Sequence, residues 1–266
     1  MFKQLLMNYL RMSEEILSSV LPNDATQKRA VRSAFGALAP VYDTWYHTPL
    51  GKYVWTVEAA AVHEMIPQKV NGVIVDIGVG TGMSLTLLQP LSSQIVGVDN
   101  TWQMVSIAYQ KNQENQEVHL VIGDGENLPF RRNVADLIIG MTVLEFVPKP
   151  DRFLQEVQTC LHPKGWLVLG VLTSTNLWAL ERRIRSFAQP DVFSYAQFPS
   201  PWQLTRRLYR NRFHRVRYRG SVYAPTFTPK RCLATFSRLD SKLGIRWLSR
   251  SLGAFSVIQA QPAETK

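Results

Sequence analysis

From Val73 to Leu172 the chain repeats one pattern: a short apolar run, a turn, then a stretch with helical spacing. The five runs are Val73–Ile77, Ile95–Val98, Val118–Ile122, Ala135–Met141 and Trp166–Leu172. Helices are expected at 82–88, 102–111 and 151–161, and Pro163-Lys164-Gly165 makes the turn before the fifth run. Strands alternating with helices at this spacing imply a parallel sheet covered on both faces. The expectation is therefore an α/β chain of Rossmann-like type.

The first run ends in Asp76-Ile77-Gly78-Val79-Gly80-Thr81-Gly82. Alternating glycines let a backbone turn tightly and meet a ligand without Cβ atoms in the way. In open parallel sheets ligands bind beyond the carboxyl ends of the strands. A dinucleotide turn would need Gly-x-Gly-x-x-Gly. That register fails, because Met83 or Leu85 stands where the third glycine would be. The turn is therefore not the dinucleotide fingerprint. Asp99 ends the second run and can accept both hydroxyl protons of a ribose; such charge-assisted bonds contribute roughly 1.5–3 kcal/mol each. Asp124 ends the third run, where it can accept from an adenine amino group while the Gly125 amide meets the ring.

In order, Asp76–Gly82, Val98-Asp99, Gly123–Phe130, Asp136–Ile139 and Leu161–Gly165 resemble the motifs of class I S-adenosylmethionine-dependent methyltransferases. The resemblance implies a seven-stranded, mostly parallel sheet with helices on both faces. It also implies N-terminal helices and a C-terminal helical insertion as a lid. The implied S-adenosylmethionine site comprises Tyr42, Asp76, Gly78, Gly80, Thr81, Gly82, Asp99, Asn100, Met104, Asp124, Gly125, Met141 and Thr142. Phe35–Asp43 is similar to the opening segment of quinone- and biotin-pathway methyltransferases, which puts Tyr42 at the methionine end. That similarity stops at Trp45–Gly51, so the substrate does not follow from it. His47 and Glu145 are the candidates for a catalytic acid or base. Asp76 could instead cap the glycine turn.

Outside the five runs the organisation is looser. Phe2, Leu5, Leu6, Tyr9, Met12, Ile16, Leu17 and Val20 predict a helix over residues 2–21, stopped at Pro22. Further helices are expected from Asp24 towards Ala34 and at 52–65. Beyond Leu172 come helices at 176–188 and 201–210, a strand at 213–223, a helical insertion at 225–252 and a last strand at 254–261. This reads as one domain: a cap over 1–66, a core over 67–175, and a completion of the sheet over 176–266.

Composition narrows the function. The net charge is +10, yet Glu181–Arg250 holds 16 Lys/Arg and 3 Asp/Glu, so the remainder is slightly acidic. The arginines from Arg206 to Arg219 interleave with Trp202, Tyr209, Phe213 and Tyr218. RNA, an acidic carrier protein or an anionic membrane surface would each suit such a stretch. So would the charged face of an edge strand. Two cysteines without ligand spacing point to no metal site and to a reduced, cytoplasmic protein. No Asp/Asn-Pro-Pro-aromatic run of the nucleic-acid amine methylases follows the fourth run. The expected acceptor is a small molecule, with contact to an anionic membrane as an added expectation and RNA methylation as the alternative.

Overall fold

The computed structural model describes residues 24–70, 72–92, 94–188, 192–243 and 252–263. The helix expected over 2–21 lies outside these residues. Helix α1 (Asp24–Leu38) runs into a 3₁₀ segment (Ala39–His47) and helix α2 (Pro49–Met65). Pro49 and the Thr48 side chain, which accepts from Gly51 N at 3.0 Å, begin α2 at a defined point. Then follow β1 (Ile74–Ile77), α3 (Leu85–Leu88), β2 (Ile95–Asp99), α4 (Trp102–Asn112), β3 (Val118–Ile122) and β4 (Ala135–Met141). The chain continues through α5 (Pro150–Cys160), β5 (Leu161–Leu172), α6 (Leu177–Ala188), α7 (Pro201–Arg210), β6 (Phe213–Ser221), α8 (Leu233–Leu243) and β7 (Phe255–Pro262).

The seven strands form one sheet in the order β3-β2-β1-β4-β5-β7-β6. Strands β1 to β5 are parallel, and β7 runs antiparallel to both neighbours. The chain turns outward in opposite directions from β1, which opens a crevice beyond its carboxyl end. Two apolar layers hold the sheet. On one face Val54, Val57, Ala61 and Met65 of α2 meet Ile74, Leu137, Ile139 and Val257. On the other, Phe153 and Val157 of α5 and Leu204 and Leu208 of α7 meet Val75, Ile138, Leu167 and Ile258.

Two expectations change in detail. The strand expected from Trp166 already pairs at Leu161 with Ala135, so Pro163-Lys164-Gly165 forms an irregularity within β5. The described part of the 225–252 insertion packs against α2, where Tyr53 donates to Asp240 at 2.5 Å. It gives only Thr226 to the cavity described below.

The basic stretch does not form a single track. Trp202, Arg206, Tyr209 and Arg210 lie exposed on α7, on one side of the sheet. Arg215, Arg217 and Arg219 belong to the edge strand β6 and turn to the α2 side. Arg215 donates to Gln261 and Arg217 to Gln259, while Arg219 is buried and paired with Glu64 of α2 at 3.0 Å. Among the described residues no helix is long and apolar enough to cross a membrane.

Candidate functional site

A cavity of about 620 Å³ lies beyond the carboxyl ends of β1, β2, β4 and β5. Its floor is the glycine turn. Gly78, Gly80 and Gly82 have φ of 76°, 53° and 83°, the left-handed region that costs side-chain-bearing residues most. A Cβ on Gly80 would touch nothing nearer than Gly78 O at 4.0 Å, so it would stand in open space where a ligand could lie. Hydrogen bonds from Gly78 N and Val79 N to Val98 O, at 2.7 and 3.1 Å, tie this turn to β2.

Asp99 is held from two sides. Its Oδ2 accepts from Gly80 N at 3.0 Å and its Oδ1 from Thr101 N at 2.8 Å. Burial raises its pKa, opposed by those backbone donors. The carboxyl group is therefore fixed in place, with lone pairs left for a ligand. Asp124 accepts from Glu126 N at 2.9 Å and takes an ion pair from Lys28 at 2.6 Å. Lys28 also meets Glu126 at 2.5 Å, pinning α1 across this end of the cavity. Burial works to lower the Lys28 pKa, but its hydrogen bonds to Asp124 and Glu126 outweigh that and leave it raised. Further out, Asp43 accepts from Thr81 Oγ1 at 2.6 Å and pairs with Lys111.

These ties yield a prediction. Lys28→Met keeps the stem, removes the cation and leaves two carboxylates facing each other. Hydrogen exchange of the α1 amides should then quicken several-fold, with about 1 kcal/mol of cap stability lost. Unchanged α1 protection would show that Lys28 does not hold the cap.

The expected site residues divide into two groups. Tyr42, Gly78, Gly80, Asp99, Asn100, Met104, Asp124, Gly125, Met141 and Thr142 all line the one cavity. Thr142 sits at φ 50°, a strained setting for a β-branched residue that costs of order 1–3 kcal/mol. Asp76, Thr81 and Gly82 lie outside its wall. Asp76 is wholly buried beneath the turn and accepts from Ser84, because the turn needs a partner for that hydroxyl. Neither catalytic candidate reaches the cavity. His47 is exposed at the end of the 3₁₀ segment. Glu145 is buried behind the wall, where it accepts from Leu172 N.

The cavity continues past Tyr42 into a chamber that the sequence motifs do not foretell. Trp45, Tyr46, Leu50, Val54, Leu172, Trp178, Phe193 and Val222 wall it, with Glu58, Glu181 and Arg182 as its ionisable side chains. The Arg182 guanidinium lies 5.4–5.5 Å from the rings of Trp178, Phe193 and Phe198. One signal was available: Glu58 is a lone acid in the apolar stripe Val54, Val57, Ala61, Val62 of α2. Among the described residues no group of His, Cys, Asp and Glu could hold a metal ion.

The sheet order, the glycine turn and the strand-end carboxylates define the class I methyltransferase fold. The comparisons agree: residues 75–169 match the family model described as a methyltransferase domain. The biotin biosynthesis bifunctional protein BioHC of Cellvibrio japonicus is 28% identical over 159 residues, which cover 59% of this chain and 30% of that protein. The probable tRNA methyltransferase 9B of mouse is 30% identical over 171 residues, covering 62% of this chain and 33% of that one. A crystal structure of a methyltransferase from Thermotoga maritima superposes with a TM-score of 0.67 at 22% identity, covering 87% of this chain and 99% of the other. These findings show a class I methyltransferase fold, with residues 75–169 similar to the methyltransferase domains of S-adenosylmethionine-dependent enzymes. The chain spans less than two thirds of the length of the curated relatives it matches.

Proposed function

We propose that the chain binds S-adenosylmethionine in the cavity above β1 and β2 and methylates a small, largely apolar acceptor. The observation that carries this reading is the continuity of the cavity. One end offers strand-end carboxylates and bare glycine backbone; the other is an aromatic and aliphatic chamber under α6. The residues fit the cofactor. Asp99 has a ribose-accepting carboxylate, and Asp124 with the Gly125 amide offers a polar edge for adenine. Gly78 and Gly80 leave room along the backbone, and Tyr42, Met141 and Thr142 face the methionine end.

When bound, the cofactor supplies a methyl group on a sulfonium, an electrophile with a good leaving group. The protein's own task is then alignment. Such positioning in a water-excluding pocket can contribute roughly 7–11 kcal/mol. Phe35, Tyr42 and Phe146 close the roof edge to face, with ring centroids 6.4 and 4.9 Å apart for the two pairs made by Phe35.

RNA is the second reading, favoured by the similarity to the mouse tRNA methyltransferase and by the basic stretch. Against it, Arg210, Arg212 and Arg215 stand where β6 begins. That strand reaches the cavity end of the sheet only at Ser221, beside Phe255. An RNA held there would lie a sheet's length from the cavity. On α7, Arg210 lies at that far end, whereas Trp202 opens the helix close to Ser174 at the carboxyl end of β5.

Calorimetry tests the reading. The purified protein should bind S-adenosylmethionine and S-adenosylhomocysteine, and NAD should give no heat. A protein that binds neither nucleoside would sink the proposal. The acceptor class is tested by following S-adenosylhomocysteine formation with small aromatic compounds and with bulk tRNA. Turnover on tRNA alone would decide for the second reading.

A further inference from the structure

Glu58 is the one charged residue on the buried stripe of α2, is 6% exposed and lines the chamber. It makes no hydrogen bond with any described residue. Its neighbour Glu181 is already engaged, accepting from Thr226 Oγ1. A carboxyl group set in a cavity wall and hydrogen-bonded to no described residue is placed to bond whatever fills that cavity. Arg182 reaches the same chamber from α6 and keeps a positive charge beside it within its aromatic box.

We propose that Glu58 is the proton acceptor for the methyl acceptor, and that the acceptor is a ring-bearing molecule presenting an acidic hydroxyl of phenol or enol type. This rests on the methyltransferase reading and deepens it. The acceptor's O–H bond breaks, its proton passing to a Glu58 carboxylate oxygen. An oxygen lone pair forms the new bond to the methyl carbon. The electron pair of the methyl–sulfur bond stays on sulfur, which ends as a neutral thioether. Arg182 stabilises the negative charge that develops on the oxygen before the methyl arrives. An ammonium acceptor would instead bring a second cation against Arg182.

The electrostatics of the chamber agree. Burial pushes the Glu58 carboxyl up to about 8; Arg182 opposes the rise, while Glu145 and Asp240 add to it. Tyr42 and Tyr46 face it from the 3₁₀ segment, and the pKa of each is itself raised, chiefly by burial. A base poised near the working pH transfers protons most effectively.

The test is a binding titration that needs no turnover. Wild type and Glu58→Gln are first titrated with S-adenosylhomocysteine, and equal affinity is required of both. Failure of the wild type at this step counts against the methyltransferase reading itself. The loaded proteins are then titrated with 1-naphthol, followed by its fluorescence, at pH 6 and pH 8.5. Wild type should bind about tenfold more tightly at pH 8.5, where Glu58 is ionised and can accept the hydroxyl proton. Glu58→Gln should lose that gain, and Glu58→Asp should keep it at weaker affinity, which guards against a variant that merely misfolds. Absence of 1-naphthol binding to the loaded wild type, or the same pH response in Glu58→Gln, would overturn the proposal. So would 1-naphthylamine binding with the same Glu58-dependent gain, since the acceptor class would then be wrong.

Discussion

Asp99→Ala should weaken S-adenosylmethionine binding by roughly 30- to 150-fold, about 2–3 kcal/mol. The loss has two sources. The first is the charge-assisted pair of hydrogen bonds that a ribose diol would make to the carboxylate. The second is organisation of the pocket, because Asp99 also receives Gly80 N and Thr101 N. Without the carboxylate those two donors face an emptied corner and the glycine turn keeps only its backbone bonds to Val98 O as ties to β2. Asp99→Asn separates the two, since its single carbonyl oxygen can keep one backbone bond but carries no charge. Its affinity should fall between wild type and Asp99→Ala. Calorimetry on the three proteins, with a thermal melt to show that each is folded, decides the matter. Equal binding by wild type and Asp99→Ala would remove Asp99 from the site.

Much of this corner was legible in the sequence, for a local reason. Strands β1 to β4 are apolar runs closed by polar turns, and a carboxylate at the last position of a strand can only stand at the rim of the sheet. Asp99, the last residue of β2, therefore declared its place without any knowledge of packing, and Asp124 stands two residues past the end of β3. Asp76 follows the same rule by eye yet sits one residue too early. It belongs to the strand, so it is buried under the turn with Ser84.

The acceptor chamber was not legible, because its walls come from four separate stretches of chain. Glu58 and Arg182 lie on helices 124 positions apart in sequence, and only the closure of α6 over the sheet brings them to one cavity. The interleaved arginines misled for a related reason. Alternation along β6 sends Val216 and Tyr218 to one face and Arg215, Arg217 and Arg219 to the other. Adjacent letters thus part company in space, and Arg219 spends its charge on Glu64.

The ligand-free protein should be most stable near pH 5 and should lose several kcal/mol by pH 8.5. Three buried carboxyl groups cause this. Burial lifts Glu58 to about 8 and Asp76 and Glu145 each to about 7, from ordinary values of 4.5, 3.8 and 4.5. Hydrogen bonds from Ser84 to Asp76 and from Leu172 N to Glu145 reduce the rise without cancelling it, and Asp76 Oδ1 and Glu145 Oε2 receive no bond from any described residue. Because these pKa values are raised on folding, the native state binds protons more tightly than the unfolded chain between about pH 4 and 8. The stabilisation is fully present below the unfolded values and is lost as pH rises through the folded ones. A tenfold difference in proton affinity between the folded and unfolded chain is worth about 1.4 kcal/mol, so a single group could account for a few kcal/mol. The three effects do not simply add, because Glu58 and Glu145 repel each other and ionise in turn. Asp76→Asn isolates one of them, keeping an oxygen for Ser84 but nothing that titrates. At pH 5 it should melt close to wild type, and at pH 8.5 it should be more stable by about 2–4 kcal/mol. Denaturant unfolding of both proteins across this range is the measurement. Wild-type stability that is flat or rising from pH 5 to 8.5, or an Asp76→Asn variant with the wild-type slope, would show that these carboxyl groups are not held neutral by the fold.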